Sequence, residues 1–136
     1  MKLKNSMEQA ICLLIMIAHS DEKAPLKSYN ISKSLGVSDS YLKKIIRQLV
    51  VAGLITSEAG KKGGVSLKKN PDKITLLDIF EAIEGKEPFA NELKEVKEQK
   101  QAMILEAFNQ AEKSYKEKLK KITLQMAMVD RNKKTY

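Results

Sequence analysis

The 136-residue chain contains one cysteine, Cys12, and one histidine, His19. A disulfide within the chain is excluded, and so is a zinc or iron–sulfur site ligated by several cysteines of one chain. Histidine-rich metal sites fall for the same reason, and no metal-ligand spacing is present. No long apolar run occurs: the longest, Ala10 to Ala18, has nine residues, far short of the roughly 20 that span a bilayer. The N-terminus lacks the small-residue cleavage site of a secretory signal. No nucleophile–base pair has a third member to orient it. Gly60-Lys61-Lys62-Gly63-Gly64 is not followed by the Lys-Ser/Thr of a phosphate-binding loop. These absences predict a soluble, cytoplasmic protein without catalytic activity, resident cofactor or membrane partner.

What is abundant is charge, at 31% of residues, beside 43% hydrophobic residues. That composition suits a globular domain, and the length suffices to bury a core without a disulfide or metal. The net charge is +8, and residues 1–69 supply most of it, with 12 Lys/Arg against 5 Asp/Glu. A basic half-chain points to a polyanionic partner, a nucleic acid or an acidic membrane surface. In residues 70–136 the signs are interspersed, which suits solvated faces of long helices.

Ser6 and Gln9 form a capping-box pattern ahead of a first helix at about Asn5 to His19. Its unbroken apolar middle predicts burial on more than one side, against its own domain and something else such as a second subunit. After a loop with Pro25, Ser28 can cap a short helix, Tyr29 to Leu35, that Gly36 stops. Ser38 caps the next, about Asp39 to Ala52, which Gly53 stops. In that third helix Leu42, Ile45, Ile46 and Leu49 share one face, while Lys43, Lys44, Arg47 and Gln48 fall on or beside the other. Two helices joined by a Gly-Val-Ser turn, the second basic outside, make a helix-turn-helix. Leu54 to Ser57 and Val65 to Leu67 flank a Gly- and Lys-rich turn and read as a β-hairpin; helix-turn-helix plus hairpin is a winged helix. Thr75 caps a fourth helix, Leu76 to Glu84, with Leu77, Phe80 and Ile83 as its apolar stripe and Gly85 at its end. Lys86 to Phe89 is a linker, and Asn91 can start a further helical stretch. From about Gln99, apolar residues recur at steps of three and four: Ile104, Phe108, Ala111, Tyr115, Leu119, Ile122, Met126 and Val129. A helix over 100–121 would be roughly 33 Å long and would need a partner for this stripe, a second copy being the simplest. Thr123 is a plausible new cap, and the polar tail Asp130 to Tyr136 is expected to fray.

Several stretches carry a resemblance: Met1-Lys2-Leu3 with the apolar first helix, Ile31-Ser32-Lys33-Ser34-Leu35-Gly36-Val37-Ser38, Ser40-Tyr41-Leu42, Leu49…Ala52-Gly53-Leu54-Ile55, Gly60…Gly63-Gly64, and Ile74-Thr75-Leu76…Ile79…Ala82-Ile83-Glu84-Gly85. Together they resemble the Rrf-type winged helix-turn-helix transcriptional regulators of bacteria. The likeness runs through about residue 89 and resumes weakly at Lys121-Ile122-Thr123-Leu124. It implies a winged helix with a long dimerisation helix, acting as a homodimer on DNA operators. Cluster-bearing members place three cysteines between the fourth and long helices, here residues 86–103; this chain has none there, so no iron–sulfur cluster is expected. Many relatives carry an arginine just before the first wing glycine, where this chain has Ala59 after Glu58.

The expected fold is mainly α with a small β-hairpin wing. It comprises a DNA-binding domain over 1–85, a linker or variable segment over 86–98, and a dimerisation helix and tail over 99–136. Helix 3 is expected in a major groove, with Ser38, Ser40 and Tyr41 at its leading end reaching phosphates or base edges, Lys43 and Lys44 reaching guanines or phosphates, and Arg47 a phosphate. Lys61 and Lys62 would grip phosphates or a minor groove from the wing. Dimerisation would use Ile104, Phe108, Ala111, Tyr115, Leu119 and Ile122. The expected function is a homodimeric, sequence-specific regulator, a repressor, on an inverted-repeat operator of double-stranded DNA, answering to a small-molecule or protein effector. The competing reading is a winged-helix module that binds a protein and no longer binds DNA. RNA binding is disfavoured, since the wing strands lack stacking aromatics. Cys12 reads as an inert small hydrophobe within a buried helix rather than a redox thiol, and His19 as a surface or capping residue.

Overall fold

In the computed structural model, described over residues 4–20, 25–88 and 99–128, the uninterrupted apolar run becomes α1 (Asn5–His19). Met7, Ala10, Leu13, Leu14 and Ile17 are buried along it. The helix packs on α2 (Ser28–Leu35), α3 (Asp39–Val51), α4 (Leu76–Glu84), a short α6 (Leu124–Met128) and the second hairpin strand. Its many-sided burial thus comes largely from within its own chain, with Ile11, Ile15 and Met16 half-buried against the same core. The Ser6–Gln9 capping box does not form. The helix starts at Asn5, as expected, but its cap is Lys4, two residues before Ser6, with Met7 N and Glu8 N donating to Lys4 O at 3.0 and 3.2 Å. Ser6 is already helical, and a capping side chain needs extended backbone. Ser28 likewise lies inside α2, whose extended N-cap is Lys27. Cys12 is half-buried rather than enclosed.

Gly36 ends α2 with φ of 67°, a left-handed conformation that a Cβ disfavours. Its N–H and that of Val37 return to Lys33 O and Ser32 O. Ser38 then caps α3, its Oγ accepting from Tyr41 N at 3.2 Å. Ile55–Glu58 (β1) and Gly64–Leu67 (β2) pair antiparallel, with Ile55 opposite Leu67 and Glu58 opposite Gly64. Leu54, Ile55 and Val65 anchor the hairpin base in the core, which supplies the support an isolated two-stranded ribbon lacks.

A 3-10 turn at Pro71–Lys73 leads to α4. Thr75 Oγ1 accepts from Asp78 N at 3.1 Å, and the Asp78 carboxylate accepts from Thr75 N at 2.9 Å. Ile79 and Phe80 are the buried residues of α4, while Leu77 and Ile83 are half-buried against the same core; the expected stripe holds at Phe80 and gains Ile79. The long α5 (Gln99–Lys120) runs back across α4. The chain then returns to the segment before α4: Leu76 N donates to Ile122 O at 2.8 Å and Leu124 N to Ile74 O at 2.7 Å. Thr123 caps α6, accepting from Met126 N, and Leu124 is fully buried. Among the described residues no helix is long and apolar enough to cross a membrane. The helical start expected at Asn91, Val129 and the tail Asp130 to Tyr136 lie outside those residues.

Leu124→Ala should cost about 2–5 kcal/mol, as for other enclosed leucines. Thr75→Ala should cost about 1 kcal/mol, and Ser6→Ala less than about 0.5 kcal/mol. Urea titration of the three variants measures the ranking; a Ser6→Ala cost equal to that of Thr75→Ala would contradict the start of α1.

Candidate nucleic-acid interface

The face of α3 turned inward holds Leu42, Ile45, Ile46 and Leu49, each 8% exposed or less. At about 1.5–3 kcal/mol per enclosed aliphatic side chain, this stripe fixes the helix's rotation about its axis. Everything opposite it is forced outward. Ser40, Lys43, Lys44 and Arg47 are exposed, as is the cap Ser38, whose Oγ lies 3.3 Å from Ser40 Oγ. Tyr41 is half-buried, its ring packed against the core. Gln48 turns aside to α4, donating to Ile83 O at 3.4 Å.

One side-chain hydrogen bond ties α2 to α3, and a second lies within α2 itself. Ser32 Oγ is buried between the helices and bonds Asp39 Oδ1 at 2.8 Å and Tyr29 O at 3.0 Å. Asp39 lies in the first turn of α3, where a carboxylate also complements the helix dipole.

In the wing, Glu58, Ala59, Gly60, Lys61 and Lys62 are all exposed. Gly63 is indispensable to the turn, because a Cβ there would lie 2.2 Å from Glu58 O and 2.5 Å from Ala59 O. A residue that sequence patterning does not single out enters here. Lys27, just before α2, donates from Nζ to Gly60 O at 2.9 Å, to Lys61 O at 2.8 Å and to Gly63 O. Only its position beside the hairpin gives it this role; nothing in its sequence neighbourhood signals it.

The long-helix stripe divides in two. Tyr115 meets Phe80 edge-on, with ring centroids 5.6 Å apart at 76°, and Leu119 packs on the same core. Ile122 is half-buried, whereas Ala111, Ile104 (57% exposed) and Phe108 (65% exposed) face solvent together with Met103. A cleft of about 270 Å³ beside Leu77 and α5 is lined by Glu112, Lys113 and Lys116 among others. Its volume falls just below the range usual for ligand pockets, about 300–1,000 Å³.

Comparison with known proteins places these features in a lineage. Residues 3–130 match the profile of a family described as Rrf2, iron-dependent transcriptional regulator. YwgB of Bacillus subtilis, an HTH-type transcriptional regulator by provisional name, is 48% identical over 86 residues, which are 63% of this chain and 55% of that protein. The HTH-type transcriptional regulator CymR of the same species is 31% identical over 85 residues, 62% of each chain. Less than two thirds of either relative's length is thus matched. Among solved structures, CymR of B. subtilis, the global cysteine regulator of that species, superposes with a TM-score of 0.73 at 26% identity over 94% of this chain and 96% of that one. IscR of T. potens gives 0.73 at 26% over 96% and 88%. The iron in the family's description finds no matching donor set. The sole cysteine sits within α1, and no group of three or more His, Cys, Asp or Glu able to hold a metal occurs among the described residues. A cysteine-ligated cluster does not fit this chain.

Ser32→Ala and Asp39→Ala should each lower stability by about 1 kcal/mol. The double variant should cost little more than either alone, because the two share one bond. A chemical-denaturation cycle reads the coupling, and full additivity would mean that the tie contributes nothing.

Proposed function

The chain belongs to the Rrf2 family of transcriptional regulators, and on that premise we propose that it binds double-stranded DNA as a homodimer and represses transcription from an inverted-repeat operator. The observation that carries this reading is the division of α3: one face is sealed into the core while Ser40, Lys43, Lys44 and Arg47 stand in solvent. A helix so displayed at the end of a helix-turn-helix enters a major groove leading end first. Ser38 and Ser40 at that end reach phosphates or base edges, Tyr41 contributes its hydroxyl from a fixed ring, Lys43 and Lys44 meet guanine acceptors or phosphates, and Arg47 meets a phosphate. Lys61 and Lys62 reach the backbone or minor groove from the wing.

The second copy is supported by the uncovered half of the α5 stripe. Met103, Ile104 and Phe108 are each more than half exposed, and a self-complementary apolar face closes naturally with two-fold symmetry. Tyr115, Leu119 and Ile122 would frame that contact with whatever surface their own core leaves free. Two recognition helices related by the dyad would read half-sites about 34 Å apart or a multiple of it. Repression then follows from occupancy, because a dimer across a promoter excludes other proteins from the same grooves. An effector, small molecule or protein, acts by binding the DNA-competent and incompetent dimers unequally.

If each protomer neutralises about four phosphates, log K against log salt concentration should fall with a slope of roughly −7. Fluorescence anisotropy with promoter duplexes measures it, and a slope near zero would favour the protein-binding module instead. Lys62→Ala should weaken binding to all sequences alike, whereas substitutions at Ser40 or Lys43 should change which operator is preferred. Uniform losses in both classes would remove direct readout by α3. Phe108→Lys should give a monomer in sedimentation velocity, with weakened operator binding; a dimer that persists would place the contact elsewhere.

A further inference from the structure

We propose that Lys27 is the positioning residue of the wing: its ammonium holds the Gly60–Gly63 turn closed and so sets where Lys61 and Lys62 project. The proposal rests on the DNA-binding function above. An ammonium has three protons, and here all three are directed at carbonyls of one turn, those of Gly60, Lys61 and Gly63. Gly60 O also accepts from Gly63 N at 3.1 Å. The turn is thus closed once by its own backbone and once by a cation from another part of the chain.

The neighbouring backbone brings that cation into place. Val65 N donates to Leu26 O at 2.9 Å, and Leu26 pairs with Val65 as a bridge outside the hairpin. The approach is close enough that a Cβ on Gly64 would lie 2.6 Å from Leu26 O. Lys27 follows with extended backbone at the N-cap of α2, so its side chain lies along the wing instead of continuing the helix. Hydrogen bonds from a charged donor are stronger than neutral ones. With three carbonyls drawn inward, the Lys61 and Lys62 side chains remain exposed. The Gly60, Gly63 and Gly64 turn would otherwise sample many conformations, and ordering it at the moment of binding would subtract from affinity. Because its donors are used on the wing, Lys27 itself has none left for a phosphate.

The test uses the full chain and a random-sequence duplex at low salt, since phosphate gripping needs no operator. Lys27→Met keeps length and removes the charge. It should raise amide exchange of Gly63, whose N–H is held by Gly60 O, and weaken duplex binding, each by roughly tenfold, without shifting the unfolding midpoint of the core. In its background the Lys61→Ala/Lys62→Ala double substitution should cost far less than in the wild type, because an unpositioned wing has less contact to lose. Lys27→Arg keeps the charge in a planar fork that cannot converge on the same three carbonyls, and should give a smaller defect of the same kind. Unchanged exchange at the wing, or losses that simply add, would overturn the proposal; additivity would make Lys27 a direct phosphate contact. Wild-type protein that leaves the duplex unbound refutes the DNA-binding function instead, and the exchange measurement then decides the role of Lys27 alone.

Discussion

The sealing of one face of α3 is the constraint on which the rest of the molecule depends. Leu42, Ile45, Ile46 and Leu49 are enclosed in the core that α3 shares with α4, α2, β1 and α1, and no other rotation of α3 keeps all four from water. The cationic face is exposed as a consequence of that burial. A change that loosened the stripe would blur the direction of Lys43, Lys44 and Arg47 without touching any of them. The Ser32–Asp39 tie and the Gly36 turn then fix α3 relative to α2, so that the two-helix unit behaves as one rigid element.

The wing and the long helix are attached to this unit by different physics. The hairpin base is held by apolar burial at Leu54, Ile55 and Val65, whereas its tip is held by a few hydrogen bonds to carbonyls. The tip is the less costly part to rearrange. The C-terminal return is held both ways: Leu124 is enclosed, and backbone bonds cross on either side of Thr75 and Thr123. As a result α5 is pinned where Tyr115 meets Phe80 and where Leu119 joins the core, while the half with Met103, Ile104 and Phe108 stands clear. A single apolar period along the sequence therefore splits into a packed half and an exposed half.

Family membership and the missing cysteines pull in different directions, and chemistry decides between them. A cluster needs several thiolates, and one half-buried Cys12 in α1 cannot supply them. The proposed response to an effector must therefore arise from packing or from partner contacts rather than from cysteine-bound iron.

By itself the sequence determined the order of elements and the two faces of α3. Periodicity, caps at Ser38 and Thr75 and stops at Gly36 and Gly85 are local signals, and local physics obeyed them. It misled at Ser6 and Ser28, where a good capping residue lies just inside the helix and the extended cap falls two residues earlier at Lys4 and one earlier at Lys27. Tertiary structure alone decided that Ile79 joins Phe80 in the buried face of α4 while Leu77 stays half-buried, that the α5 stripe divides at Tyr115, and that Lys27 reaches a turn more than thirty residues away. Those outcomes depend on which surfaces meet across the chain, and spacing within one segment carries no information about what lies opposite it.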